Sequence, residues 1–178
     1  MGIMGLANQD PNIKIKIAET SDFFDLNLVA KEFIDFIDDF RKKFLDKKFF
    51  VLTAWYNNIL AGLLISEDKS KKVSSLKKLL PSMYLHLVYV NPKFRNKHIG
   101  KQLLENFIKV QKEKGTASIY IKLPQNYKNG IRFFQHNQFR QICVDRNKIT
   151  LELNLWDDFG VTECQIIDED LENSFGIE

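Results

Sequence analysis

A short basic loop between a predicted strand and a predicted helix carries the residues best suited to chemistry. The strand is Tyr84 to Val90, a run of β-branched and aromatic residues that ends at the turn signal Asn91-Pro92. The helix follows from apolar residues spaced three and four apart over 99–110, and it ends at Gly115. Such a turn presents unpaired backbone N–H groups and the positive end of the helix dipole. The stretch therefore predicts an anion site, most naturally for phosphate.

The residues of the loop exclude two common phosphate-binding motifs. They are basic or polar and include one glycine: Arg95, Asn96, Lys97, His98, Ile99, Gly100 and Lys101. A P-loop would need a glycine where Arg95 stands, and the dinucleotide fingerprint would need three glycines. Both of these motifs are therefore excluded.

This stretch resembles the acetyl-CoA signature of the GNAT superfamily of N-acetyltransferases. That signature is Arg/Gln-x-x-Gly-x-Gly/Ala after a strand that ends in Val-x-Pro, and the matching residues are Val90-Asn91-Pro92 and Arg95-x-x-His98-x-Gly100. His98 stands where the first glycine is usual, and histidine tolerates a positive φ less well than glycine. The resemblance covers about residues 12–155 and implies that residues 95–101 bind acetyl-CoA.

The predicted order of elements agrees with the resemblance: β, α, β, β, β, α, β, α, β, β. A stripe of aromatic and aliphatic residues predicts one long helix over about 20–44, Asn57-Asn58 predicts a hairpin turn, and residues 67–80 are interpreted as a mobile loop or short helix. The expected fold class is α/β (α+β), with a GNAT-like, mostly antiparallel sheet of about seven strands and a splayed fourth and fifth strand pair. The acetyltransferase domain is predicted over 12–155, between a flexible N-terminus (1–11) and an acidic tail (156–178).

The resemblance also implies how the thioester is held and how the amine is deprotonated. In this family the splayed fourth strand offers its backbone to pantetheine and to the thioester carbonyl, a role that falls here on Val88, Tyr89 and Val90. His86 occupies the place of a strand histidine in aralkylamine N-acetyltransferases. Because imidazole ionises near neutral pH, His86 is the candidate general base. A hydrogen-bonded core histidine is the alternative interpretation.

The usual proton donor to the leaving thiolate has no counterpart in this sequence. In the resembled family a tyrosine fills that role, and its position falls on Phe134, which cannot donate a proton. Tyr89, Tyr127 or water is then the candidate donor, unless the thiolate leaves unassisted. Asn126 and Phe134 are expected to contact the cofactor, although packing between helix and sheet would explain Phe134 equally well.

Composition and length exclude several other classes of protein. A chain of 178 residues with 44% apolar residues is most simply one domain. No apolar run reaches the length of a membrane span, and the N-terminus does not read as a secretion signal. Two cysteines without a C-x-x-C, Cys143 and Cys164, favour free thiols and a cytoplasmic protein. Three histidines without ligand spacing predict no metal site.

The charge distribution is compatible with three interpretations. Eight acidic residues and no Lys or Arg follow residue 155, so the preceding chain is strongly basic. The basic part could bind nucleic acid, bind phosphorylated CoA or simply be solvated. Because no recognition helix is apparent, no nucleic-acid partner is predicted. The leading hypothesis is acetyl transfer from acetyl-CoA to a primary amine of a small molecule or protein, by a monomer or homodimer. A catalytically weak acyl-CoA-binding regulatory module is the alternative.

Overall fold

The computed structural model describes residues 10–33, 37, 39–73 and 78–156. The predicted flexible N-terminus and acidic tail therefore lie outside the described residues, apart from residues 10, 11 and 156, and the predicted domain limits remain a prediction. The strands within the described ranges are β1 (Ile13–Ile17), β2 (Phe49–Tyr56), β3 (Ile59–Asp68), β4 (Lys71–Val73), β5 (Lys78–Leu80), β6 (Ser82–Val90), β7 (Ser118–Pro124), β8 (Arg140–Asp145) and β9 (Lys148–Asn154). The α-helices are α1 (Phe23–Ala30), α2 (Phe40–Leu45), α3 (Ile99–Glu113) and α4 (Lys128–His136).

Seven strands form one mixed sheet in the order β1-β2-β3-β6-β7-β9-β8. The β6–β7 pair is parallel, whereas β1–β2, β2–β3, β7–β9 and β8–β9 are antiparallel. Residue contacts divide the chain into a first unit, 1–68 with 85–114, and a second unit, 69–84 with 115–178. The predicted fold class, a mostly antiparallel sheet of about seven strands flanked by helices, is confirmed.

The first unit builds its core from phenylalanines in and beside the helices and from aliphatic residues on the strands. Alternation along β2 and β3 places Val51, Leu63 and Ile65 on the same face, where they form one buried cluster with Phe33 and Phe40. The amphipathic helix α3 buries a separate stripe: Ile99, Leu103, Leu104 and Phe107.

The predicted long helix over 20–44 is wrong. A 3₁₀ turn (Thr20–Asp22) leads into α1, which ends at Ala30, and α2 begins only at Phe40 after a left-handed Asp39 with φ of 53°. The aromatic stripe is nonetheless buried at Phe33, Phe40 and Phe44. Apolar spacing therefore predicted which side chains face the core and missed the backbone break between them.

Two short turns behave as their sequences predict. Asn57 and Asn58 both have positive φ, 46° and 64°, which is the geometry of a two-residue hairpin between β2 and β3. Gly115 ends the α3 segment with φ of 78°.

The segment 67–80 is more regular than the predicted loop or short helix. Strand β3 continues to Asp68, and β4 pairs with β5 in a separate two-stranded antiparallel sheet. Lysines and serines obscured any alternation in this stretch, so its pairing could not be read from the sequence.

In the second unit, β7, β9 and β8 form antiparallel ladders beside a brief parallel one. Strand β6 pairs with β7 at only three positions, Ser82–Ser118, Met83–Ile119 and Tyr84–Tyr120. The ladder between the two strands ends there, although β6 continues to Val90 and β7 to Pro124. This early end of the ladder is the splay predicted for the fourth and fifth strands of the family, which are β6 and β7 here.

Candidate active site

The loop between β6 and α3 adopts a backbone that few side chains favour. After a 3₁₀ turn at Pro92–Phe94, Asn96 and His98 both take left-handed conformations, with φ of 64° and 57°. His98 is the residue immediately before α3. The family's glycine is therefore replaced at a position that does require positive φ, and histidine and asparagine are among the residues that tolerate it.

The same loop leaves a run of backbone N–H groups without acceptors. The first bond of α3 is donated by the Gln102 N–H to the His98 carbonyl, over 3.0 Å. Among the described residues, the N–H groups of 96–101 have no hydrogen-bond acceptor. Successive amides in such a turn, at the start of a 15-residue helix, form a concave site for an anion.

The side chains around this loop add positive charge. Arg95 and Lys101 are exposed, and Lys97 places its ammonium 4.8 Å from the centroid of the Tyr56 ring. No acidic residue occurs between positions 91 and 104; the nearest, Glu105, lies 3.7 Å from Lys101. The loop is therefore suited to a ligand with several negative charges.

Gly62 on β3 supports this site and was not identified from the sequence. A Cβ atom there would lie 2.7 Å from the carbonyl oxygen of Tyr89 and 3.1 Å from Cγ2 of Ile99. The end of β6 and the start of α3 therefore approach β3 more closely than a side chain would allow. The available signal was a glycine inside the apolar run 59–65, which is typical of close backbone approach.

His86 is paired with a carboxylate. Its Nε2 lies 2.9 Å from Oε2 of Glu67, and both side chains are 15% exposed. The imidazole also meets the edge of the Phe49 ring at a centroid distance of 5.2 Å. When Nε2–H donates to the carboxylate, Nδ1 is the ring nitrogen that can accept a proton. Sequence reasoning missed Glu67 because it was placed in the predicted loop.

Tyr89 donates its phenolic hydrogen to Oε2 of Glu32 over 2.6 Å. Burial, together with this hydrogen bond, raises the pKa of Tyr89 to about 12. The phenol is therefore protonated at neutral pH, with its hydrogen directed at Glu32. Its neighbours Val88 and Val90 are half-buried residues of the same strand, beyond the three positions at which β6 pairs with β7.

The remaining predicted residues, Asn126, Tyr127 and Phe134, belong to the second unit. Asn126 is exposed in the turn before α4, and Tyr127 is 53% exposed with its ring over Gly130. Phe134 is only 4% exposed, and its ring packs edge-on against Phe139 at 5.2 Å. This packing gives Phe134 a core role, whereas the Tyr127 hydroxyl lies in an exposed side chain.

A second acidic residue that the sequence did not single out is Glu152 on β9. It is 6% exposed, and neither carboxylate oxygen has a hydrogen-bond partner. Burial raises the pKa of Glu152 from 4.5 to about 7. Alternation with Leu151 and Leu153 is also typical of a solvent-facing residue, so no sequence pattern marks this side chain as buried.

Across residues 10–33, 37, 39–73 and 78–156, no three His, Cys, Asp or Glu side chains are grouped so that they could hold a metal ion. Across those same ranges, each helix is either too short or too polar to cross a bilayer.

The fold and loop geometry agree with a family assignment from sequence. A profile of the Acetyltransferase (GNAT) family matches residues 17–139, which is more than half of the chain. The chain belongs to the GNAT acetyltransferase family and is an acyltransferase of that type. No curated protein sequence matches the chain significantly.

Solved structures with the same fold include several N-acetyltransferases. PaiA N-acetyltransferase from Thermoplasma acidophilum, in complex with coenzyme A, has a TM-score of 0.64 and 19% identity over 80% of this chain and 98% of its own. Arabidopsis thaliana NAA60 in complex with acetyl-CoA has a TM-score of 0.66 and 14% identity, over 80% and 98%. An N-acetyltransferase from Staphylococcus aureus Mu50 has a TM-score of 0.64 and 17% identity, over 82% and 99%.

The close approach at Gly62 predicts a specific effect of a single methyl group. Gly62→Ala should push the Tyr89 carbonyl and the start of α3 away from β3, since backbone cannot yield as a flexible side chain does. We expect a loss of about 1–3 kcal/mol in the free energy of unfolding, measured by urea denaturation. Gly130→Ala is the matched control, because the three atoms that its Cβ would approach most closely all belong to the Tyr127 ring, which is exposed and can rotate away. Equal losses of unfolding free energy in Gly62→Ala and Gly130→Ala would contradict the close backbone approach assigned to Gly62.

The buried carboxylate predicts how stability depends on pH. The folded protein keeps the Glu152 proton up to about pH 7, whereas the unfolded chain releases it near 4.5. The folded state then binds more protons within this window, so stability falls as pH rises through it, by about 3 kcal/mol in total. Glu152→Gln should remove this decline when thermal unfolding is followed from pH 4 to 8. Glu113→Gln, at an exposed carboxylate, should leave it in place.

Proposed function

We propose that the chain is an acetyl-CoA-dependent N-acetyltransferase that transfers an acetyl group directly to a primary amine of a small molecule or protein. The observation that carries the proposal is the run of unpaired N–H groups over 96–101, surrounded by basic side chains. Family membership supports the reaction type, and the solved structures with bound CoA or acetyl-CoA support the donor.

The residues of the loop fit the phosphates of acetyl-CoA. The amides of 96–101 would bind the pyrophosphate, with Arg95, Lys97 and Lys101 as the neighbouring cations. The backbone of Val88, Tyr89 and Val90 would pair with the pantetheine arm, because β6 has left its ladder with β7 before these residues. Bound acetyl-CoA supplies an acetyl group activated as a thioester.

His86 would remove the proton from the attacking ammonium. Glu67 holds Nε2 at 2.9 Å, so it fixes the orientation of the imidazole that would act as the base. As the new N–C bond forms and the C–S bond breaks, the positive charge gained by His86 is stabilised by the Glu67 carboxylate. Glu67 is thus a positioning residue.

Two tyrosines are candidates for protonating the leaving thiolate. Tyr89 is protonated at neutral pH, but its hydrogen is already donated to Glu32. Within the described residues, the Tyr127 hydroxyl forms no such hydrogen bond, and the side chain is 53% exposed in the second unit. We assign the role to Tyr127 in preference to Tyr89, with Asn126 and Phe134 beside the cofactor as further parts of the proposal.

The burial of Phe134 favours a second candidate function. A phenylalanine packed in the core at the position of the usual acid is compatible with a protein that binds acyl-CoA and transfers it slowly. Binding with no CoA release for any amine would favour this regulatory module over the enzyme.

The loop geometry predicts saturable binding of acetyl-CoA in a calorimeter, with ATP failing to reproduce it. Arg95→Gln and Lys97→Gln should each raise the dissociation constant about 10-fold, because each removes one charge-assisted contact to phosphate. Lys112→Gln is the control, an exposed lysine near the C-terminal end of α3. Equal weakening in all three variants would assign the effect to overall charge and not to the loop.

The His86–Glu67 pair predicts a characteristic pH–rate profile. In the wild type the transfer rate should fall as pH is lowered, because the base becomes protonated. His86→Gln should lower kcat about 100-fold or more and flatten this fall, with acetyl-CoA affinity unchanged. Glu67→Gln keeps an acceptor for Nε2–H and should cost less than Glu67→Leu. An unchanged profile in His86→Gln would reject His86 as the base.

A further inference from the structure

Glu152 lies on a polar face of the sheet in the second unit. Leu151, its neighbour on β9, is fully buried on the opposite face. In the registers of the two adjoining ladders, Glu152 stands directly opposite Tyr120 on β7 and Arg140 on β8. Directly paired residues project from the same face of a sheet. The carboxylate is therefore placed in a row with these two side chains.

A tyrosine pair continues this row. Tyr84 is paired with Tyr120 in the parallel ladder, and the two ring centroids are 5.1 Å apart at an interplanar angle of 40°. Tyr120 is 7% exposed, so its ring is nearly as buried as Glu152. Aromatic rings beside a buried carboxylate favour a cation, since the ring faces and the carboxylate both carry negative potential.

The cationic side chains nearest in register do not neutralise Glu152. Arg140 is exposed, and Lys122 stands two residues from Tyr120 on the same face of β7. Neither forms a hydrogen bond with the carboxylate, whose two oxygens have no partner. A buried carboxylate without a partner is costly, and a ligand with N–H donors and positive charge would offset that cost.

We propose that Glu152 and Tyr120 form a binding site for an organic ammonium ion, with the carboxylate accepting its N–H hydrogens and the aromatic ring contacting its charge.

The site can be tested without acetyl transfer, by titrating the full chain with n-butylammonium chloride in a calorimeter at about pH 8.5, where Glu152 has released its proton and the ligand is still an ammonium ion. Sodium chloride at equal ionic strength and neutral n-butanol are the control ligands. We expect saturable binding of n-butylammonium alone, weakened at least 10-fold by Glu152→Gln and unchanged by Glu113→Gln. No saturable binding to the wild type, or equal binding to Glu152→Gln, would overturn the site.

Variants of Tyr120 provide a second test that leaves the carboxylate in place. Tyr120→Phe keeps the aromatic ring and should retain binding of n-butylammonium. Tyr120→Leu removes the aromatic ring and should weaken this binding. Thermal unfolding of each variant checks that it is folded. Equal binding of n-butylammonium to Tyr120→Leu and to the wild type would show that the Tyr120 ring is not part of the site.

Discussion

Backbone hydrogen bonding is the constraint on which the rest of this structure depends. In a sheet, the backbone N–H and C=O groups of each strand normally form hydrogen bonds with the neighbouring strands. Strand β6, however, pairs with β7 at only three positions before their ladder ends. The following loop leaves six successive N–H groups, those of 96–101, without an acceptor. Both stretches belong to one continuous segment, so the chain concentrates its unpaired backbone where a long, polar and anionic molecule could supply the partners.

Much of this arrangement could be predicted from the sequence because its causes are local. Apolar spacing defined α3, the Asn57-Asn58 pair defined a hairpin, and the Val90-Asn91-Pro92 and Arg95-x-x-His98-x-Gly100 motif located the loop. The break between α1 and α2 could not be predicted in this way. The aromatic stripe that suggested one helix is satisfied equally by two short helices, because Phe33 and Phe40 reach the same core.

Residues that act through partners distant in sequence were the hardest to predict. Glu67 meets His86 across 19 positions, and the role of Gly62 depends on the Tyr89 carbonyl. The burial of Glu152 could not be predicted, since alternation with Leu151 and Leu153 gives the face of its side chain and not what covers that face. The candidate base and phosphate loop were therefore accessible to sequence reasoning, whereas the groups that orient or surround them required the structure.

The left-handed backbone at His98 has a consequence for conformational entropy. Glycine at this position would leave the unfolded and unliganded loop more backbone states than histidine does. With histidine, and with asparagine at the left-handed position 96, the folded but unliganded loop keeps fewer backbone states than a glycine-containing loop would. Less then remains to be lost when a ligand is bound, so a residue that departs from the family pattern can preorganise the loop for its anion.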